Sequence, residues 1–225
     1  MEKVFLFKIA IIPVTVFAQN CTVLFDETTR QAVVFDPGGE PGRILELLAA
    51  QGLELQHILL THGHLDHAGG ATALQGVLNE RRAAEDKPRL EIWGPDEGDR
   101  FLLDSIEQQQ ALFGLSGMVN VTPDRWLVDG DVVEFGPLRF EVVHCPGHTP
   151  GSVVYVEKTA RLAVVGDVLF RGSIGRTDFP YGDHDALIES IQTRLLPLGD
   201  DITFISGHGQ GSTFGEERRG NPFIR

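Results

Sequence analysis

Residues Thr61-His62-Gly63-His64-Leu65-Asp66-His67 place three imidazoles and one carboxylate within six positions, directly after the apolar run Ile58-Leu59-Leu60. Imidazole nitrogen and carboxylate oxygen together suit zinc, iron or manganese, so the chemistry expected here is that of a metal centre. A second apolar run ends in His144-Cys145-Pro146-Gly147-His148-Thr149-Pro150-Gly151, where two glycines and two prolines fix a tight loop that presents His148. His144 lies inside the strand pattern and is expected to orient a metal ligand rather than to be one. Asp167 follows the buried run Val164-Val165-Gly166, and His208 follows Phe204-Ile205-Ser206-Gly207. Four strands thus end in metal-type side chains. His62, His64, Asp66, His67, His148, Asp167 and His208 exceed what one tetrahedral ion needs, but suit two divalent ions if one carboxylate bridges them.

The elements that must position these groups follow from the apolar pattern. Phe5 to Phe17, Cys21 to Phe25 and Gln31 to Phe35 read as an antiparallel meander, stopped by Asp36-Pro37-Gly38-Gly39. Ile44, Leu47 and Leu48 at helical spacing predict a helix ending near Gly52, and His57 to Thr61 reads as a buried strand. Helices are expected over Gly69 to Lys87 and Asp99 to Phe113, with a strand at Leu90 to Trp93 between them. Strands at Leu138 to Val143, Ser152 to Val156 and Leu162 to Val165 repeat the meander, followed by a helix at Asp185 to Leu196 and a strand at Ile202 to Ile205. Two sheets packed face to face with helices outside would bury both sets of apolar faces. No linker-like stretch divides the chain, so residues 1–225 are expected to form a single domain.

Composition narrows the partners. A formal charge of −13 disfavours nucleic acid and anionic membrane surfaces. It leaves small anionic substrates open, because bound cations reverse the local potential. No stretch of 18 apolar residues predicts a membrane span. Lys3 and Lys8 before the run Ile9 to Ala18 superficially resemble a signal peptide, but Pro13 interrupts the run and Val16 and Phe17 fit a cleavage site poorly, so a strand is the expectation. The only two cysteines, Cys21 and Cys145, are expected to be free thiols in a reducing compartment, which points to the cytoplasm.

Through THGHLDH, HCPGHTPGS, GDVLF and SGHG in this order, the sequence resembles the metallo-β-lactamase superfamily, and within it the glyoxalase-II-like (hydroxyacylglutathione hydrolase) branch. Asn20-Cys21, Asp36-Pro37-Gly38-Gly39, the stretch from Gly175 to Pro180 and the ending Glu217 to Phe223 belong to the same resemblance, which resembles short bacterial members. It implies an α+β, four-layer αββα sandwich. It also implies that His62, His64 and His148 hold one metal, that Asp66, His67 and His208 hold another, and that Asp167 bridges them. Zinc is the favoured ion, with iron and manganese also compatible. Lactamase members commonly carry a cysteine where Asp167 stands, and flavodiiron members carry a carboxylate where His64 stands. Both departures argue against those activities.

The expected reaction is hydrolysis of a glutathione-type thioester such as S-lactoylglutathione, in which a metal-bridging hydroxide oriented by Asp66 attacks the carbonyl. A thiolate leaves without a dedicated general acid, and the sequence offers no clear acid. Arg176 is the candidate contact for an anionic substrate group, with an ion pair to Asp178 or Asp183 as the alternative. A mononuclear iron persulfide dioxygenase resembles the chain at the same histidines, and a lactonase or phosphodiesterase would use the same hydroxide. Longer glyoxalase II enzymes hold glutathione partly through a C-terminal helical segment that has no counterpart before Arg225, so the resemblance carries the metal chemistry further than the glutathione contacts.

Overall fold

Strands that are apolar at every position need cover on both faces, and the buried residues of this chain sort accordingly. The computed structural model describes residues 7–224. One sheet has the order β1 (Phe7–Val14), β2 (Gln19–Asp26), β3 (Gln31–Phe35), β4 (Glu54–Leu59), β5 (Glu91–Trp93). β1 to β3 are antiparallel, and β3, β4 and β5 run parallel. The second sheet joins β6 (Val132–Phe135), β7 (Leu138–His144), β8 (Val153–Glu157) and β9 (Leu162–Gly166) as an antiparallel meander. Two later strands follow a short β10–β11 hairpin (Leu169–Phe170, Ser173–Ile174). Of these, β12 (Thr203–Ser206) pairs parallel with β9 and carries β13 (Ser212–Thr213) at its edge.

Alternation along the strands builds three apolar layers. Val33, Phe35 and Leu59 of the first sheet meet Phe140, Val153, Tyr155, Leu162 and Val164 of the second. Phe35 packs edge-on against Phe140 and Tyr155, with ring centroids 5.7 and 5.2 Å away. The intervening residues Ala32, Val34 and Ile58 face outward onto Ile44 and Leu48 of α1 (Pro41–Gln51) and Ala71 and Leu74 of α3 (Ala71–Ala84). On the other side Val154, Val156, Ala163 and Val165 pack against Leu187 and Phe214, from α6 (His184–Glu189) and α7 (Phe214–Gly220). The result is the αββα sandwich that two doubly covered sheets require.

The remaining helices are shorter than the apolar pattern predicts. Asp66 and His67 sit in a separate turn, α2 (Leu65–Ala68), before α3 begins. The helix expected over Asp99 to Phe113 is broken into a 3₁₀ turn, α4 (Arg100–Leu103) and α5 (Ile106–Leu112). The break between α4 and α5 falls at Asp104–Ser105, where Ser105 Oγ donates back to Phe101 O at 2.8 Å and Leu102 O at 3.1 Å. β10, β11, β13 and α7 were not anticipated; each is short and lacks a periodic run. The expected first strand began at Phe5, and its first two residues lie outside the described part of the chain. No helix among the described residues is long and apolar enough to cross a membrane.

The parallel strands decide where the site lies. β4, β9 and β12 all point their C-terminal ends to one edge of the sandwich, and the β7–β8 loop opens at the same edge. Tyr155 ties the sheets together there by donating to Leu60 O at 2.7 Å, immediately before Thr61.

Candidate metal centre

All seven expected side chains converge at this edge. His64 Nδ1 lies 3.0 Å from both His62 Nε2 and His148 Nε2. Nitrogens sharing an ion at 2.0–2.1 Å would stand about 3.3 Å apart, so three lone pairs aimed at one point fit a tetrahedral cation. In a second cluster His67 Nε2 is 3.4 Å from His208 Nε2, and Asp66 Oδ2 is 3.2 Å from His208 Nε2. Asp167 stands between the clusters, with one oxygen 3.3 Å from His67 Nε2 and the other 3.6 Å from His208 Nε2 and 3.8 Å from His148 Nε2. Asp167 Oδ1 is buried, and its near neighbour His67 Nε2 is too poorly aligned to make a well-formed hydrogen bond with it. A buried carboxylate oxygen without a well-aligned donor is costly, and a cation between the clusters would satisfy it. The two groups of side chains are suited to binding two metal ions.

The ring nitrogens that face away from these points are held by oxygens, which sets the tautomer of each imidazole. His67 Nδ1 bonds Asp36 Oδ2 at 2.9 Å, and His62 Nδ1 lies 3.0 Å from Thr61 Oγ1, which itself donates to the same Asp36 oxygen. His148 Nδ1 donates to Arg176 O at 2.8 Å, His208 Nδ1 to Phe17 O at 3.1 Å, and His64 Nε2 lies 2.9 Å from Tyr181 Oη. Asp36, His62 and His67 also come close enough to form a third candidate group. Both Asp36 oxygens are already engaged by Thr61 and His67, so Asp36 orients rather than binds.

Electrostatics separates the clusters. Burial holds His62 well below the ordinary histidine value, reinforced by the neighbouring His67 and His64. Burial and the neighbouring His148 bring His64 down to about 3, and burial also lowers His148. These three offer neutral lone pairs. Burial works against protonation of His67, but Asp167 and Asp66 outweigh it and raise its pKa well above the usual range. His208 is raised likewise: burial opposes, and Asp66 and Asp167 prevail. A cation entering the second cluster would therefore displace protons that the carboxylates otherwise retain.

Glycine is required where the loops touch. A Cβ on Gly207 would stand 2.1 Å from Asp167 Oδ1 and 2.4 Å from His67 Cε1. Asn20 pins this loop, donating to Ser206 O at 3.0 Å and Gly209 O at 2.9 Å. Asp99 clasps two other loops: it accepts from Gly63 N at 2.7 Å, Thr149 Oγ1 at 2.8 Å and Gly151 N at 2.6 Å.

Residues 14–208 match the model of the metallo-beta-lactamase superfamily. The chain belongs to that superfamily. Hydroxyacylglutathione hydrolase GloC of Haemophilus influenzae is 46% identical over 218 residues, covering 96% of this chain and 98% of its own. Among solved structures, BLEG-1 B3 metallo-beta-lactamase superposes with a TM-score of 0.80 at 34% identity, covering 97% of this chain and 99% of that one. TTHA1623 in a di-iron-bound form gives 0.80 at 35% identity, covering 95% and 99%. The chain is thus a metallo-β-lactamase-fold hydrolase, as its motifs imply.

Within this metallo-β-lactamase fold the metal-type groups floor a cavity of about 570 Å³, whose walls include Phe17, Phe113, Phe170, Phe179 and Tyr181. Arg176 lies on its rim. Its guanidinium makes a two-pronged pair with Asp178 at 2.9 and 2.8 Å and lies 4.8 Å over the Phe179 ring. His144 departs from its expected role: its Nε2 donates to Pro150 O at 2.8 Å, fixing the loop around His148 without contacting an imidazole of the cluster. Cys21 and Cys145 are free and buried, and burial pushes the Cys145 thiol up to about 12, which rules out a ready thiolate nucleophile. Asp36, Thr61, Asp99 and Tyr181 were not singled out as functional from the sequence. Only Asp36 carried a signal, a carboxylate ending an apolar strand as Asp167 does.

Proposed function

We propose that the protein is a metal-dependent thioesterase acting on a glutathione-type thioester such as S-lactoylglutathione, in the cytoplasm. The observation that carries the reading is Asp167, set between two imidazole clusters at the floor of a cavity large enough for a small molecule. In this reading His62, His64 and His148 hold one ion, Asp66, His67 and His208 the other, and Asp167 both. Two divalent cations bound there would polarise the thioester carbonyl and acidify water enough for it to attack at neutral pH.

The chain supplies the rest. Hydrogen bonds from the outward ring nitrogens fix the five imidazoles before any substrate arrives, so little reorganisation is needed during reaction. Asp66 is held ionised: burial opposes this, and His67 and His208 outweigh it, which lets Asp66 accept a hydrogen bond from an attacking water and orient it. The aromatic walls offer the substrate an apolar surface beside the metal-type groups. A thiolate then departs without a proton donor. The relative named hydroxyacylglutathione hydrolase supports the glutathione thioester, and Arg176 on the rim is the proposed contact for its carboxylates.

The test is turnover of S-lactoylglutathione by zinc-loaded protein. Activity no higher than that of Asp66→Ala would sink the reading. The structural likeness to a B3 metallo-β-lactamase makes a β-lactam the comparison substrate, expected to turn over far more slowly because its amide nitrogen needs a proton. Oxygen uptake on glutathione persulfide by iron-loaded protein, with one iron per chain, would instead favour a dioxygenase.

A further inference from the structure

Five imidazoles in the centre have an outward nitrogen bonded to oxygen, and four of those oxygens belong to backbone carbonyls, or to a hydroxyl and a carboxylate on the interior side of the loops. The fifth is different. His64 meets the phenol of Tyr181, a half-buried residue that also lines the cavity. His64 is also the histidine that aims Nδ1, rather than Nε2, at its cluster. If Nδ1 offers its lone pair to a cation, the ring proton resides on Nε2, and the contact at 2.9 Å has a fixed direction: His64 donates and Tyr181 Oη accepts.

That direction leaves the phenolic proton without an acceptor. Tyr181 Oη makes no other hydrogen bond among the described residues. The ring is held beside His64 by Phe179, stacked on it with centroids 5.4 Å and planes 10° apart, and by Phe101, which meets it edge-on at 5.2 Å. We infer that Tyr181 has two roles in this site: it fixes the tautomer and orientation of His64, and it presents its own O–H to a carbonyl or carboxylate oxygen of the substrate in the cavity. The second role rests on the thioesterase reading; the first does not. Tyr181 is a positioning residue for the metal cluster and a substrate contact, and it takes no part in bond breaking.

Tyr181→Phe keeps the ring and its stacking and removes only the oxygen. Zinc titration against a chromophoric chelator should show one of two zinc ions bound about 10- to 100-fold more weakly, and the other unchanged. At saturating zinc, KM for S-lactoylglutathione should rise about two- to tenfold, the worth of one neutral hydrogen bond, with kcat nearly unchanged. Unaltered zinc affinity at both sites overturns the positioning role. An unaltered KM, or a loss confined to kcat, overturns the substrate contact. Wild-type protein inactive on the thioester removes the proposed function and with it the substrate contact, while the zinc arm still decides whether Tyr181 anchors His64.

Discussion

Oδ2 of Asp36 lies 2.9 Å from Nδ1 of His67, and the same oxygen accepts from Thr61 Oγ1 at 2.7 Å. One carboxylate therefore orients His67 directly and His62 through the threonine. Asp36 directly follows β3 and the Thr61–His67 segment follows the parallel strand β4, so the two lie side by side. Asp36→Asn puts an amide N–H where one of these donors points. Zinc affinity should fall about 10- to 100-fold, with both ions affected because each cluster loses an oriented imidazole. Isothermal titration with zinc checks this, and full-strength binding of both ions would refute the orienting role.

Removing a group at the heart of the centre should differ from removing a histidine outside it. His148→Ala or Asp167→Ala should lower metal content and abolish turnover. His184→Ala should do neither, since His184 is exposed at the start of α6 and the helix is capped by Asp183, which accepts from Ala186 N at 3.0 Å. Elemental analysis alongside turnover decides the matter. Near-normal activity with full metal loading in His148→Ala would refute the ligand assignment.

Arg176 is mostly exposed and already paired with Asp178, so an anionic substrate must compete with that carboxylate. An exposed pair of this kind is worth little, and the exchange is feasible. Arg176→Ala should raise KM for an anionic thioester several-fold more than for a neutral one, with metal content unchanged. Asp178→Asn should lower KM for the anionic substrate. Equal effects on both substrates would assign the arginine to loop structure.

Burial pushes the Asp99 carboxyl up to about 6, against hydrogen bonds from Thr149, Gly63 and Gly151 that favour the anion. Between its ordinary value of 3.8 and about 6, the folded protein keeps a proton that the unfolded chain has released, so this group's contribution to stability falls as pH rises through that interval. Asp99→Asn removes the titration. It also sets an amide N–H against backbone and hydroxyl donors, which costs about 1–3 kcal/mol. In urea unfolding the advantage of the wild type over Asp99→Asn should shrink across that interval as pH rises; an advantage that grows would contradict the assignment.

The sequence by itself determined the metal-type residues and the framework that carries them. Ile58-Leu59-Leu60 before His62 and Val164-Val165 before Asp167 are legible because a strand covered on both faces must be apolar at successive positions, and the first polar residue beyond marks its emergence at the sheet edge. Tertiary structure alone decided what orients those residues. Tyr181 reaches His64 across 117 positions, and the carbonyl of Phe17 reaches His208 across 191. Neither contact leaves a local pattern, since a phenol and a backbone carbonyl serve equally well in many other places. The same limit hid the role of Asp99. Its carboxylate accepts from Gly63 N and Gly151 N, donors far away in the chain that only the fold brings beside it.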